Sequence, residues 1–154
     1  MLFDLTGQTA IVTGAATGIG EAIARRLARA GAAIAVADLN LDGATEVAQS
    51  IGGGSFAIPI DITRSDSVNA AVAEVLSRTG RIDVLVNNAG IAGRTAPIWE
   101  LTDEDWQRII AVNMSGVFHC CRAVLPHMRT RRYGRIVNIA SIAGKEGNPN
   151  MSGY

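Results

Sequence analysis

The feature that most constrains the fold is a regular alternation of short apolar, β-rich segments with longer segments of helical periodicity. The predicted strands are Gln8–Thr13, Ala33–Ala37, Phe56–Ile60, Val84–Asn88 and Ile136–Ala140. The predicted helices between them are Gly18–Ala30, Leu41–Ser50, Ser65–Thr79 and Thr102–Arg131. Strands separated by helices form right-handed βαβ units, and nearly continuous apolar strands are typical of a parallel sheet covered on both faces. The alternation therefore predicts an α/β fold with helices on both faces of the sheet.

One proline indicates the order of the strands. Pro59 lies in the third predicted strand and has no N–H to donate to a neighbour, so that strand is expected at an edge of the sheet. The Rossmann-like doubly wound order 3-2-1-4-5-6 places it there. The sequence ends before a sixth strand, so we expect residues 1–154 to form one dinucleotide-binding domain, truncated after the fifth strand with its C-terminal part absent. An unpaired, apolar fifth strand would then favour aggregation.

Composition limits the classes of partner. Hydrophobic residues make up 48% of the chain, which suffices for one sizeable core, and 14 basic residues balance 14 acidic ones. This neutral balance favours neither nucleic acid nor an anionic membrane. The longest apolar runs look too short to span a bilayer, and the start of the chain, Met1–Leu5, does not resemble a signal peptide.

The cysteines and histidines point to a reducing compartment without a metal site. Cys120 and Cys121 are adjacent within a helical pattern, so their side chains diverge and we expect two reduced, small core residues. His119 and His127 have no companion ligands at metal-binding spacing. We therefore expect a cytoplasmic protein, structural histidines and no metal centre.

A glycine-rich segment joins the first strand to the first helix. It has the pattern G-x-x-x-G-x-G, with glycines at Gly14, Gly18 and Gly20, and it includes Thr17 and Ile19. Glycine permits the tight turn and the close approach of a pyrophosphate, while the free N–H groups at the helix start point at that anion. In this position the segment predicts a dinucleotide site more strongly than an unliganded connection.

Asp38, at the end of the second strand, predicts which dinucleotide binds. Its carboxylate can accept hydrogen bonds from both ribose hydroxyls of NAD, whereas it would repel the 2′-phosphate of NADP. Neighbours such as Leu39 and Asn40 supply no cation for that phosphate. The alternative is a solvated carboxylate that caps the next helix. We therefore predict NAD as the cofactor.

The long predicted helix carries one polar residue on its apolar stripe. Asn113 falls on the same face as Ile109, Val117 and Val124. A buried amide must be hydrogen-bonded, so Asn113 is expected either to bind backbone within the core or to serve a site. Pro126 is expected to bend or end the helix locally.

These motifs, with three more, resemble the short-chain dehydrogenase/reductase family over almost the whole chain. The motifs are the Thr13–Gly20 loop, Asp61-Ile62, Asn87-Asn88-Ala89-Gly90, Asn113, and Ser141 followed 13 residues later by Tyr154. The resemblance implies that Asp61 caps the adenine with Ile62 beside it. It also implies that Asn88, Ala89 and Gly90 line the path of the cofactor and that Asn87 helps to fix the sheet.

The resemblance also implies a reaction. Tyr154 would be the acid/base, Ser141 would hold the substrate oxygen, and Asn113 would bind a proton relay through backbone and water. The reaction would be hydride transfer between NAD and a secondary alcohol or ketone, such as a polyol or sugar. The family has a lysine four residues after the tyrosine, a position beyond Tyr154, so we expect the 154-residue chain alone to be nearly inactive.

Two other functions stay open. One is a 3-oxoacyl carrier-protein reductase, against which Asp38 argues because such enzymes usually prefer NADPH. The other is a catalytically incomplete, NAD-binding module. For the complete chain the resemblance implies a homo-oligomer, a dimer or tetramer in which the long helix contributes to the contact, acting on a small-molecule substrate.

Overall fold

A computed structural model of the chain describes residues 4–154. Met1–Phe3, on which the interpretation of the N-terminus partly rests, lie outside the described residues. The parallel sheet contains β1 to β5, which are Thr9–Thr13, Ala33–Asp38, Phe56–Pro59, Val84–Asn87 and Arg135–Asn138. Their order is β3-β2-β1-β4-β5, which confirms the predicted α/β, Rossmann-like arrangement.

The strand bounds differ from the prediction by one or two residues. β2 includes Asp38, which pairs with Pro59, and β3 is an edge strand as its proline requires. β5 begins at Arg135, which pairs with Val84. β5 is the other edge of the described sheet, and its Val137 side chain is 45% exposed.

Helices cover both faces of the sheet because side chains alternate along each strand. Ile11 packs with residues of α3 (Ser65–Thr79) and α5 (Gly116–Arg131) on one face. Its neighbour Val12 packs on the other face with residues of α1 (Gly18–Arg29) and α2 (Leu41–Ile51). Two apolar layers therefore enclose the sheet.

The prediction of one regular helix over Thr102–Arg131 is wrong for the middle of that range. The range consists of α4 (Asp103–Ile110), a π-helical turn at Ala111–Ser115, and α5. A π turn adds a residue to the helical repeat and rotates the faces before and after it relative to each other. Thr102 caps the start of α4, accepting a hydrogen bond from the Asp105 N–H at 3.1 Å. Pro126 does not end the helix, which continues to Arg131.

The span Asp103–Arg131 is nevertheless continuous over 29 residues, and it is long and apolar enough to cross a membrane by length and composition alone. The expectation that no segment reaches that length is therefore wrong. The α5 part buries Cys120, Val124 and Met128 against the sheet and α3. Only 22% of the most apolar 18-residue window of the span is buried within the structure.

A buried carboxylate ties the amino-terminal edge of the sheet to α5. Asp83, just before β4, is fully buried and accepts hydrogen bonds from Arg81 Nε (2.7 Å) and Nη2 (2.9 Å). It also accepts from Arg131 Nη1 (2.9 Å), in the last turn of α5, and from the Thr9 N–H (2.9 Å). The ion pairs therefore link β1, β4 and α5 at the edge opposite the carboxyl ends of the strands.

Candidate active site

A cavity of about 650 Å³ lies at the carboxyl ends of β1 to β4. Its lining includes eight of the residues predicted for cofactor binding, which are Gly14, Thr17, Asp38, Asp61, Ile62, Asn88, Ala89 and Gly90. The volume is within the usual range for small-molecule and cofactor sites. The carboxyl ends of the strands are also where open α/β sheets bind ligands.

Glycines let the loop after β1 pack tightly against the end of β4. A Cβ on Gly20 would overlap the carbonyl oxygen of Gly14 and lie 2.5 Å from Asn88 Nδ2. A Cβ on Gly14 would lie 2.9 Å from the Cα of Ala89. Asn88 Nδ2 fixes this contact by donating to the carbonyls of Thr13 (2.9 Å) and Gly14 (3.1 Å). The backbone of the glycine loop is therefore held directly against the residues at the end of β4, at the wall of the cavity.

The start of α1 is open to an anion. Thr17 is the N-cap of this 12-residue helix, yet its side chain makes no capping hydrogen bond. Gly18 has the left-handed φ of +61°, with nothing within 4 Å of an added Cβ, and Ile19 is 68% exposed. The first N–H groups of a helix have no partner within it, so this end can bind a phosphate.

Asp38 joins the glycine loop to the turn after β2. Its Oδ2 accepts a hydrogen bond from the Ala16 N–H and its Oδ1 from the Asn40 N–H, each at 2.9 Å. The cap of α2 is Asn40, whose side chain accepts from the Gly43 N–H at 3.1 Å, so the alternative interpretation of Asp38 as a helix cap is wrong. Each carboxylate oxygen keeps a lone pair, which leaves Asp38 able to accept from ribose hydroxyls.

One side chain of α5 and one of α3 hold the segment after β3. The Asp61 N–H donates to Ser67 Oγ at 2.9 Å, and Asp61 Oδ1 accepts from Thr63 Oγ1 at 2.6 Å. His119 Nδ1 lies 2.9 Å from the carbonyl oxygen of Ile62. Gly116 lets α5 approach, because a Cβ there would lie 2.6 Å from Ile62 Cδ1. Asp61 and Ile62 are thus fixed at the wall of the cavity.

Of the two histidines and two cysteines, Cys120 is buried and the other three are half-buried. His127 Nε2 is 3.3 Å from the N–H of Ile82, and Cys120 is buried while Cys121 is half-buried and reduced. Burial raises the pKa of the Cys120 thiol to about 12, and the neighbouring Cys121 adds to this. Within residues 4–154, no cluster of three His, Cys, Asp or Glu side chains has the arrangement needed to hold a metal ion.

Asn113 lies in the π-helical turn and binds the loop that follows β4. Its Oδ1 accepts from the Ile91 N–H at 2.9 Å, and its Nδ2 donates to the Ile91 carbonyl at 2.8 Å. Both ends of the amide are therefore satisfied by one residue's backbone. This matches the interpretation of Asn113 as an amide tied to backbone, and its part in a proton relay stays a prediction.

Ser141 and Tyr154 lie beyond β5, outside the cavity lining. Ser141 Oγ accepts from the Ala143 N–H at 3.2 Å, and the Tyr154 side chain is 42% exposed. In the part of the chain that the structure describes, no hydrogen bond joins their hydroxyl groups. Gly153 packs on α4, because a Cβ there would lie 2.7 Å from Ile109 Cδ1. The Tyr154 segment is thereby anchored to the helix that walls the cavity.

Sequence reasoning missed part of the cavity wall. The residues not predicted are Leu39, Ile60, Thr63, Ile91, Arg108, Ala111 and Val112. Arg108, Ala111 and Val112 are three and four residues apart, a spacing that puts side chains on one helical face. That spacing is visible in the sequence, but which face of the helix meets the cavity depends on the π turn.

Comparison with known proteins identifies the family of the chain. The family described as short chain dehydrogenase matches residues 8–154. The chain is 43% identical over 148 residues to 2-dehydro-3-deoxy-L-rhamnonate dehydrogenase (NAD(+)) of Sphingomonas sp. (strain SKA58), with 96% of this chain and 59% of that protein covered. It is 44% identical over 151 residues to sorbitol dehydrogenase of Cereibacter sphaeroides, with 97% and 59% covered.

A solved structure shows the same fold. The 3-ketoacyl-(acyl-carrier-protein) reductase from Brucella melitensis, complexed with NADH, superposes with a TM-score of 0.94 at 36% identity. The alignment covers 98% of this chain and 64% of that one. The chain thus spans about three fifths of the length of these relatives. With its glycine loop, parallel sheet and family match over residues 8–154, the chain belongs to the short-chain dehydrogenase/reductase family.

Proposed function

We propose that this protein is an NAD-dependent oxidoreductase that transfers a hydride between the cofactor and a secondary alcohol or ketone, in the class of polyols and sugars. The observation that carries the proposal is the 650 Å³ cavity that joins the glycine loop to the carboxylate of Asp38. The two curated relatives, named as a rhamnonate-derivative and a sorbitol dehydrogenase, support the substrate class.

Different residues around the cavity would bind different parts of the cofactor. The open start of α1, at Gly18, Ile19 and Gly20, would bind the pyrophosphate. Asp38 would accept the ribose hydroxyls, which favours NAD over NADP because a 2′-phosphate would face a carboxylate.

The rest of the cofactor would lie farther along the cavity. Asp61 and Ile62 would flank the adenine. Asn88, Ala89 and Gly90 would line the path toward the nicotinamide, which supplies the hydride chemistry when the cofactor is bound. Two relatives support this choice of cofactor: the rhamnonate-derivative dehydrogenase has NAD(+) in its name, and the Brucella melitensis reductase was solved in complex with NADH.

The proton chemistry falls to residues after β5. Tyr154 would move a proton to or from the substrate oxygen, and Ser141 would donate a hydrogen bond to the same oxygen. Among residues 4–154, Ser141 Oγ accepts a hydrogen bond from the Ala143 N–H and donates none, so its own O–H is available to donate. Asn113, with its side chain bound to Ile91, would position the loop between cofactor and substrate and support the proton relay through its backbone.

The proposal also covers the oligomeric state and the cellular location of the protein. The outer face of α4 and α5 exposes apolar side chains, namely Trp106, Met114, Phe118 and Leu125. Such a face supports a homo-oligomer, a dimer or tetramer. The balanced charge and reduced cysteines support a cytoplasmic protein that binds neither nucleic acid nor membrane.

A second candidate is the reduction of a 3-oxoacyl group on a carrier protein. The similarity to the Brucella melitensis reductase supports it, at 36% identity and a TM-score of 0.94. Substrate choice distinguishes the two, since the favoured function requires turnover of polyols or sugars with NAD and the second requires reduction of a 3-oxoacyl thioester.

The test begins with the dissociation constants of NAD and NADP for the full-length protein, followed by a screen of polyols, sugars and 3-oxoacyl thioesters. Tyr154→Phe should lower kcat by about 10²–10⁴-fold, because general acid–base catalysis contributes that much. The matched control is Tyr133→Phe, since Tyr133 precedes β5 at the amino-terminal ends of the strands, with its hydroxyl 3.3 Å from Gln8 Oε1. NAD binding without turnover of any substrate would indicate a binding module instead, and an unchanged kcat in Tyr154→Phe would remove the assigned acid/base.

A further inference from the structure

The wall of the cofactor cavity contains one cation, Arg108 of α4. It lines the cavity together with Ala111 and Val112, and Asp61 and Ile62 of the segment after β3 line the same cavity. The cavity is otherwise lined by neutral residues and the two carboxylates of Asp38 and Asp61.

Arg108 has no anionic partner in residues 4–154. Glu104 lies four residues earlier, the spacing at which Glu21 binds Arg25 and Glu74 binds Arg78. No hydrogen bond or ion pair joins Glu104 to Arg108 among the described residues. On the same helix, Asp105 is already bound to the Thr102 N–H and to Arg94. The guanidinium of Arg108 is therefore exposed and available at the cavity.

From this we infer that Arg108 is a cofactor-contacting residue whose guanidinium packs against the adenine ring. The inference rests on the proposed function, in which Asp61 and Ile62 flank the adenine from the other side. A planar guanidinium stacks on aromatic rings, a contact that the compact ammonium of lysine does not reproduce. Arg108 would thus determine affinity for the adenosine half of the dinucleotide without touching the reacting atoms.

The choice of the base over a phosphate follows from the rest of the site. The open start of α1 already provides N–H groups for the pyrophosphate, at the glycine loop. Arg108 lines the cavity through α4, which carries no part of that loop. The helical span that contains Arg108 packs instead on the segment after β3, where Gly116 approaches Ile62 and His119 lies 2.9 Å from the Ile62 carbonyl oxygen. The cation is therefore assigned to the adenine end, and no aromatic side chain is among the described residues that line the cavity.

The experiment measures the dissociation constants of NAD, AMP and nicotinamide mononucleotide for the full-length protein and for Arg108→Ala. AMP and nicotinamide mononucleotide each carry one phosphate, so their comparison separates the adenosine half of the dinucleotide from the nicotinamide half. Arg108→Ala should weaken the binding of NAD and of AMP by the same factor, about five-fold, and leave the binding of nicotinamide mononucleotide unchanged. Arg108→Lys should weaken the binding of NAD and AMP nearly as much. Arg129→Ala is the matched control, an exposed arginine of α5 outside the cavity.

The outcomes separate this inference from the proposed function. Binding of NAD and AMP by Arg108→Ala with wild-type affinity would overturn the inference and leave the proposed function standing. Full affinity in Arg108→Lys would overturn the stacking contact, since charge alone would then suffice. Failure of the wild-type protein to bind NAD would refute the proposed function and the inference with it. A fall in Tm of Arg108→Ala is not expected, because the side chain makes no hydrogen bond or ion pair with the described residues.

Discussion

The buried carboxylate of Asp83 allows a sharp test of what stabilises the fold. We consider Asp83→Asn, which keeps the shape of the side chain but removes its charge. In the native structure one fully buried carboxylate accepts four hydrogen bonds, three from Arg81 and Arg131 and one from the Thr9 N–H. In the variant, an amide N–H₂ would face guanidinium donors, and the two cations would lose their counter-charge.

The magnitude follows from the burial of the partners. Breaking a buried ion pair by removing one partner destabilises a protein by about 3–5 kcal/mol. The Arg81 and Arg131 side chains are 38% and 28% exposed, so water can solvate part of their charge. We therefore expect the lower end, about 3 kcal/mol in the free energy of unfolding. For a protein of about 150–250 residues this lowers Tm by about 6–12 °C.

The effect should depend on pH with a definite sign. Burial alone would raise the pKa of Asp83, but hydrogen bonds from Arg81, the Thr9 N–H and Arg131 outweigh it and hold that pKa below its usual range. A lowered pKa in the folded state means that the stabilisation is fully present above the unfolded value of about 3.9. It is lost as the pH falls through the folded pKa. The difference between wild type and Asp83→Asn should therefore shrink below about pH 4.

The assay is urea unfolding of both proteins across pH 3–7, with Asp66→Asn as the matched control. Asp66 pairs with Arg64 at 2.6 Å, but the two side chains are 69% and 65% exposed. Exposed ion pairs contribute little, so the control should leave Cm nearly unchanged. Equal and small shifts for Asp83→Asn and Asp66→Asn at neutral pH would refute the reasoning.

Two further substitutions test the site. Gly20→Ala places a Cβ onto the Gly14 carbonyl and should weaken NAD binding at least ten-fold, as measured by calorimetry. The control Gly144→Ala has open space around its Cβ and should leave NAD binding unchanged. Equal affinities of the two variants would contradict the close packing of the loop. Asn113→Ala leaves the Ile91 N–H and carbonyl without partners and should lower the free energy of unfolding by about 2 kcal/mol in urea titration. Asn113→Asp keeps the hydrogen-bond acceptor but not the donor, so its free energy of unfolding should lie between those of the wild type and Asn113→Ala. An unchanged free energy of unfolding in both variants would show that the amide contact is not stabilising.

Much of the site could be predicted because parallel strands end at one edge. Gly14, Asp38 and Asp61 each follow a predicted strand and Asn88 ends one, and the structure brings all four to one cavity. The local partners could not be predicted in the same way. Asp38 holds the Ala16 N–H and Asn40 caps α2, although both residues stand at the same strand-to-helix turn and either could cap. Their roles depend on where the glycine loop lies in space.

The sequence by itself determined the α/β class, the order that places Pro59 on an edge strand, and the glycine loop, because strand and helix periodicities and the limits on glycine and proline are local properties of the chain. Only the tertiary structure decided the π-helical turn at Ala111–Ser115 and the exposure of Arg108 to the cavity. Both depend on contacts between distant segments, such as Asn113 with Ile91, since a helix presents a different face for each added residue and only packing selects among them.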